Sequence, residues 1–317
     1  MESRIGAYAS LSGGFILAGS SVAAAKFLAG LPVFFAAAGG TAVALIALIP
    51  LAAAEARSMG GPQRRPALRE ALRRALPLLT AQALFGIALF RVLMLLALER
   101  TSAAVVGIAT SATPALTALL SALFLKERIG LRTAAGIALA ALGIAALQSG
   151  EPAAAGTASL ALVGCLLALG AAASESAFNV LSKRLPAAIG PRLASAAVMA
   201  LALLMLASLS VACGERVGWE GIGFKQGLAI AYMGLFSSAL AYILWFAGVA
   251  RVPASTAGAF AGFMPLSAFA LSIAFLGEKP RAAAFAGALL AIGGIVLCAT
   301  ARIRHGEDTP RQNAAVP

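Results

Sequence analysis

Apolar residues along this chain fall into long blocks separated by short polar breaks. A bilayer core of about 30 Å takes roughly 20 apolar residues in helical form, because hydrocarbon offers no partner to an unpaired backbone amide. That ruler predicts about ten spans, at 7 to 27, 33 to 53, 77 to 97, 102 to 124, 131 to 148, 159 to 180, 193 to 212, 227 to 249, 254 to 276 and 282 to 300. The expected fold is an all-α membrane protein of about ten transmembrane helices. The first run, Ala7 to Leu28, is longer than the apolar core of a secretory signal and reads as a helix that stays in the protein.

Composition sharpens this. The 317 residues are 61% hydrophobic and 11% charged, with mean hydropathy +0.94, against roughly 45 to 50% and about 25% in an ordinary soluble domain. The sizeable polar stretches are Glu55 to Arg74, Ser149 to Thr157, Cys213 to Gln226 and the tail after Arg302, none long enough for a separate soluble domain. The net charge of +12 does not describe a nucleic-acid face, because Lys and Arg sit between apolar blocks rather than on one surface with interleaved aromatics.

Those charges give an orientation instead, since basic loops stay on the cytoplasmic side. With the N-terminus inside, Arg57, Arg64, Arg65, Arg69, Arg73, Arg74, Lys126, Arg128, Arg132, Lys183, Arg184, Arg192 and Arg251 share the cytoplasm with Arg302, Arg304 and Arg311 of the tail. The other side receives Lys26, Arg100, Arg216, Lys225, Lys279 and Arg281. Both termini are therefore expected in the cytoplasm of a cell with a bacterial-type inner membrane. The stretch Arg65 to Leu79 is basic and amphipathic, and reads either as a helix lying on the anionic inner surface before the third span or as a solvated loop.

A shift of 151 positions lays TPALTALLSALFLKE, ending at Glu127, on MPLSAFALSIAFLGE, ending at Glu278. Pro114 then pairs with Pro265, Ser121 with Ser272, Phe124 with Phe275, Gly136 with Gly287 and Gly143 with Gly294. Two unrelated Ala/Leu-rich helices would not align these scarcer residues together. The chain divides into a first copy at 1–150, a second at 151–301 and a polar cytoplasmic tail at 302–317. Five spans per copy is an odd number, so the second copy is expected to insert upside down relative to the first. Inverted repeats recur in secondary transporters, where two pseudo-symmetric halves exchange conformations around one central site.

At these residues the chain resembles the ten-helix EamA-type permeases of the drug/metabolite transporter superfamily. The resemblance rests on the proline-centred fourth and ninth spans, their LFLKE and AFLGE endings, and the glycine pairs of the spans that follow. It covers about Leu11 to Thr300, and implies two inverted five-helix repeats and export of a small metabolite or drug. Many relatives carry an arginine early in the second span, where this chain reads FFAAAGGTAV from Phe34 to Val43.

Charges inside a span are the sharpest pointers, since one at a helix centre costs about 2.5 to 3.5 kcal/mol on insertion scales. Arg91, in ALFRVLMLLAL, should face a cavity or a partner; a structural ion pair is the plainer alternative. Glu175, in ASESAFN and one turn before Asn179, can bind a proton, hold a substrate amine, or reach toward the interface near Lys183. Counted from the span centres, Arg91 lies about 6 Å outward and Glu175 about 8 Å inward, which suits two poles of one cavity and a zwitterion such as an amino acid. The repeat offset sets Tyr242 opposite Arg91 and Ser237 opposite Gly86, and Tyr242 with Trp245 forms an aromatic wall or simple core packing. Pro114 and Pro265 should kink their helices, with Thr110, Ser111 and Thr113 supplying hydroxyls beside the first.

Catalysis has no foothold here. The one histidine, His305, and the one aspartate, Asp308, lie in the tail, and no HExxH, GxSxG or glycine-rich phosphate loop occurs. Cys165, Cys213 and Cys298 are too scattered for a metal site or disulfide framework. No cofactor or metal is expected; the partners are the lipid bilayer, a small-molecule substrate and protons. A gradient-coupled carrier, an uncoupled facilitator or exchanger, and a membrane scaffold are the classes left.

Overall fold

A computed structural model describes residues 2–28, 30–58, 65–98, 100, 106, 109–148, 158–215, 222–276 and 282–300. Among these the chain is helix and connecting turn, without a strand. Seven helices are long and apolar enough to cross a bilayer, and two shorter apolar ones, Thr113–Leu125 and Leu131–Ala146, accompany them. The loop carrying Glu278, the start of the span predicted at 102, and the polar tail lie outside the described residues.

The first copy comprises α1 (Glu2–Ala25), α2 (Val33–Ser58), α3 (Arg65–Ala83) running through a π turn at Leu84–Leu89 into α4 (Phe90–Leu98), then α5 (Thr113–Leu125) and α6 (Leu131–Gln148). The second comprises α7 (Ala158–Ser182), α8 (Pro191–Ala212), α9 (Phe224–Tyr232) with a π turn at Met233–Leu240 leading into α10 (Ala241–Val249), α11 (Ala254–Ala259) with a 3-10 turn at Phe260–Gly262 leading into α12 (Phe263–Leu276), and α13 (Ala282–Thr300). Displaced by the 151 residues read from the sequence, α4 falls on α10, α6 on α13, and one π turn on the other.

The basic stretch at Arg65 is helical rather than a loop. It is the start of α3, which runs through Pro77 without a break. Ala75, Leu79 and Ala83 are buried against the core, and that packing carries the helix past the one amide that proline lacks. Pro114 and Pro265 stand where a helix restarts. α5 begins at Thr113 after a turn at Ser111 and Ala112, and α12 begins at Phe263 after the 3-10 turn. A proline in a first turn forfeits only an amide that had no helical acceptor.

Of the helix pairs that join the copies, two bring equivalent helices together, and both run antiparallel. In the first, Gly136 lies against Gly294 and Cys298, and Gly143 against Ala291 and Gly287. A Cβ on Gly143 would stand 2.7 Å from both the Ala291 Cα and the Gly287 oxygen, so only glycine allows α6 and α13 to approach this closely. In the second, α2 and α8 cap each other's ends. Glu215, beyond the end of α8, accepts from the amides of Phe34 (3.2 Å) and Phe35 (2.7 Å) at the start of α2. Glu55, near the end of α2, accepts from the Leu193 amide (2.8 Å) at the start of α8. Each carboxylate satisfies helix-start donors that would otherwise be orphaned.

The remaining packing repeats in mirrored fashion. α1 packs on α10 and α12, as α7 packs on α4 and α5. Even single contacts correspond: Gly19 of α1 rests on the Met264 carbonyl, and Ser176 of α7 donates to the Thr113 carbonyl at 3.1 Å.

Candidate transport site

A cavity of about 210 Å³ opens between α1, α2, the α3–α4 rod, α7, α8, the α9–α10 rod and α12. Arg91, Glu175, Asn179, Ser237, Tyr242 and Trp245 all line it. Thr110 and Ser111 are not among its lining residues; the neighbouring Thr113 instead donates its hydroxyl to Glu175 at 3.2 Å.

The two π turns explain how these groups reach one space. Closing bonds from i to i+5 stacks residues five apart above each other, where a regular α-helix would set them about 140° apart. Gly86 and Arg91 straddle one such turn, Ser237 and Tyr242 the other, and all four face the cavity. The widened turn also exposes a carbonyl, and that of Phe85 accepts from the Ser174 hydroxyl at 2.7 Å.

Arg91 and Glu175 do not pair with each other. Among the described residues the only ion pair is Arg74 with Glu70, on the exposed face of α3. The guanidinium, half-buried at the wall, also has no protein hydrogen-bond acceptor among the described residues, so its charge is directed at the cavity. Tyr242 is within electrostatic reach of both charges. Asn179 is turned partly away, donating to the Thr117 hydroxyl at 3.3 Å. The Ser237 hydroxyl is buried without a partner among the described residues.

One end of the cavity is floored by aromatic rings. Phe178 packs against Trp245, Tyr242 and Phe246 with centroids 5.8, 5.7 and 6.2 Å apart, and Phe15 meets Trp245 edge-on at 5.3 Å. Trp245 donates its indole N–H to Ser182 at 3.2 Å. The wall also contains small and flexible residues that sequence reasoning did not single out, among them Gly14, Ser21, Gly40, Thr41, Met199 and Met264. For the four in α1 and α2 the only signal was the density of small residues there; Met199 of α8 and Met264 of α12 carried none.

Charged and polar groups gathered round an internal cavity, within a multi-pass bundle made of two copies of one unit, define a membrane transporter. The model of the EamA-like transporter family matches residues 4–148 and again residues 162–300. The chain belongs to that family, within the drug/metabolite transporter superfamily, and its relatives are transporters rather than enzymes.

Among those relatives, the uncharacterized transporter YetK of Bacillus subtilis strain 168 is 29% identical over 303 residues, covering 93% of this chain and 87% of its own. A probable terminal-alkyne amino-acid exporter of Streptantibioticus cattleyicolor is 26% identical, covering 74% of this chain and 75% of its own. The threonine/homoserine exporter RhtA of Escherichia coli K12 is 31% identical over 135 residues, 43% of either chain. A solved crystal structure shares the fold with a TM-score of 0.73 at 21% identity, over 93% of this chain and 96% of that one.

Proposed function

We propose that this protein is a secondary active transporter of the inner membrane that exports a small zwitterionic metabolite of the amino-acid type. In this reading ten helices form two inverted five-helix repeats, both termini are cytoplasmic, and the substrate binds in the cavity between the repeats. The observation that carries it is the placing of Arg91 and Glu175 on one cavity without an ion pair between them. Two unpaired opposite charges in a low-dielectric wall are costly unless a ligand completes them, and a zwitterion does so at both ends.

Further support comes from three sides. The antiparallel pairs α6–α13 and α2–α8 are what a two-fold axis in the membrane plane produces. At about 210 Å³ the cavity falls below the roughly 300 to 1,000 Å³ of pockets for drug-sized ligands, which favours a metabolite. Two of the relatives are named as exporters of amino acids.

Glu175 is the candidate proton carrier in this scheme. Its bond from Thr113 favours a second reading, in which an ionised carboxylate stays fixed as the partner of the substrate amine and the protein is an uncoupled exchanger. Purified protein in liposomes, loaded in turn with each of the common amino acids, distinguishes these. The first reading expects saturable efflux accelerated by an opposing proton gradient, loss of that acceleration in Glu175→Gln, and loss of all flux in Arg91→Ala. Exchange indifferent to the gradient in the unmodified protein selects the exchanger. Flux untouched by Arg91→Ala in a well-inserted protein removes the site assignment from both readings.

A further inference from the structure

Away from the cavity, the densest set of charge-to-backbone contacts in the described residues gathers where α5, α7 and α10 end and α11 begins. α5 stops at Lys126, which adopts the left-handed φ of 55°, and the Glu127 amide bonds back to the Ser121 carbonyl at 3.3 Å. This reversal carries Glu127 sideways onto the start of α11. Its carboxylate accepts from the amides of Ala254 (2.8 Å) and Ser255 (3.1 Å) and from the Ser255 hydroxyl (2.8 Å).

From the end of α7, the Lys183 ammonium donates to three carbonyls at the end of α10, those of Val249 (2.9 Å), Ala250 (3.1 Å) and Val252 (2.7 Å). Arg184 donates to the Phe124 carbonyl at the end of α5 at 2.6 Å. A cation thus sits on helix C-termini and an anion on a helix N-terminus, each at its favourable pole. Glu127 and Arg184 tie one copy to the other, and Lys183 with Glu127 holds the α10–α11 connection from both sides.

The cluster lies beneath the cavity. α1 and α10 run antiparallel, with the Ala7 carbonyl against Gly248 at the level of the cluster and Gly14 against Ala241 at the level of the cavity. Seven residues of helix separate those levels, about 10 Å. Between them lie the aromatic floor and the Trp245 to Ser182 hydrogen bond. Ser182 is the residue before Lys183, and Trp245 lies one turn before Val249. The indole that walls the cavity and the ammonium that holds the α10 terminus therefore fasten the same two helices.

We infer that Glu127 and Lys183 form a latch that shuts one mouth of the cavity, and that Trp245 and Ser182 couple the latch to what occupies the cavity. The latch rests on the proposed function only for its assignment to the cytoplasmic mouth. Every bond in it ends on backbone carbonyls, backbone amides or one serine, so it opens by helix ends sliding apart and needs no refolding. A device that must open in each cycle is expected to be built of such contacts.

The test reads access directly and needs no knowledge of the substrate. In a background of Cys165→Ser, Cys213→Ser and Cys298→Ala, the near-isosteric Ser238→Cys places a thiol on the cavity wall. The full-length protein is labelled with a membrane-impermeant maleimide in right-side-out and in inside-out vesicles. With the latch intact, labelling proceeds from the outer face and is blocked from the inner. Lys183→Met and Glu127→Gln, each removing charge-assisted bonds, are expected to raise inner-face labelling about tenfold, while Lys183→Arg keeps it low.

Inner-face labelling that is the same with and without the latch residues, in proteins that extract as monodisperse species, overturns the inference. So does a parent protein labelled from the inner face alone, which would put the closed mouth on the wrong side. A thiol reached from neither face removes the cavity reading itself. The two failures are thereby told apart.

Discussion

Replacing Gly86 by alanine tests how tightly the cavity floor is built. A Cβ at this position would stand 2.6 Å from Cδ2 and 2.7 Å from Cγ of Phe178, so the ring must retreat by about 1 Å to recover ordinary carbon–carbon contact. It has little room, being buried and packed against Tyr242, Trp245 and Phe246. Overpacking of this kind costs about 1 to 3 kcal/mol, against a gain of roughly 0.5 to 1 kcal/mol for exchanging glycine for alanine within a helix. The net loss, about 1 kcal/mol at the middle of those ranges and about 2.5 kcal/mol at most, lowers the midpoint of thermal unfolding in detergent by up to a few degrees.

Displacement of Phe178 also reaches Trp245, so indole emission should shift; Trp219→Phe removes the other tryptophan from the signal. Relief by Phe178→Leu in the double variant would show that the two changes act through one contact. An unchanged midpoint together with unchanged emission in Gly86→Ala would mean that the ring has space to yield, and the packed floor would have to be abandoned.

Other outcomes follow from contacts already described. Glu215→Gln loses the charge that serves two amides of α2 and should cost about 1 to 2 kcal/mol of stability in the same melt; no change would mean that water replaces the cap. Gly143→Ala should destabilise by about 2 to 3 kcal/mol because backbone of α13 meets the new methyl. Gly130→Ala, with nothing within 4 Å, serves as its control and should stay within about 0.5 kcal/mol. At the site, Arg91→Lys should retain part of the flux that Arg91→Ala abolishes, since an ammonium keeps the charge but not the forked donor geometry; equal flux in the two would argue against an anion at Arg91.

Much of this architecture could be read from residue order because membrane helices obey a strict ruler of length and polarity. The offset that pairs Pro114 with Pro265 also pairs the two π turns, although nothing in the apolar pattern announced them. A period of 3.6 is scored over many residues, and one widened turn leaves it almost unchanged. Six of the candidate residues line one cavity for the same reason that they stood out: each is polar or aromatic where lipid-facing helix would be aliphatic. Thr110 and Ser111 shared that signal, but the restart of the helix at Thr113 presents Thr113 to Glu175 instead.

Glu55 and Glu215 fell in polar stretches between spans, and Glu127 stood out only as the end of the repeated LFLKE segment. Their partners are backbone amides 127 to 181 positions away in the chain, and an amide carries no sequence label. Lys183 was counted as a topology signal for the same reason, since its acceptors are carbonyls. Burial lowers the affinity of its ammonium for the proton, and the nearby Glu127 carboxylate works in the opposite direction.

The glycine seam between α6 and α13 bears on insulation. With Gly136, Gly143, Gly287 and Gly294 bringing backbone onto backbone, the seam is close-packed where the two helices meet, and the thiol of Cys298 beside it is tied to the Thr133 carbonyl at 3.5 Å. A wire of hydrogen-bonded water needs both room and polar footholds, and backbone packed at glycine distance denies it the room. Energy stored across the membrane is thus kept from draining along that side of the bundle.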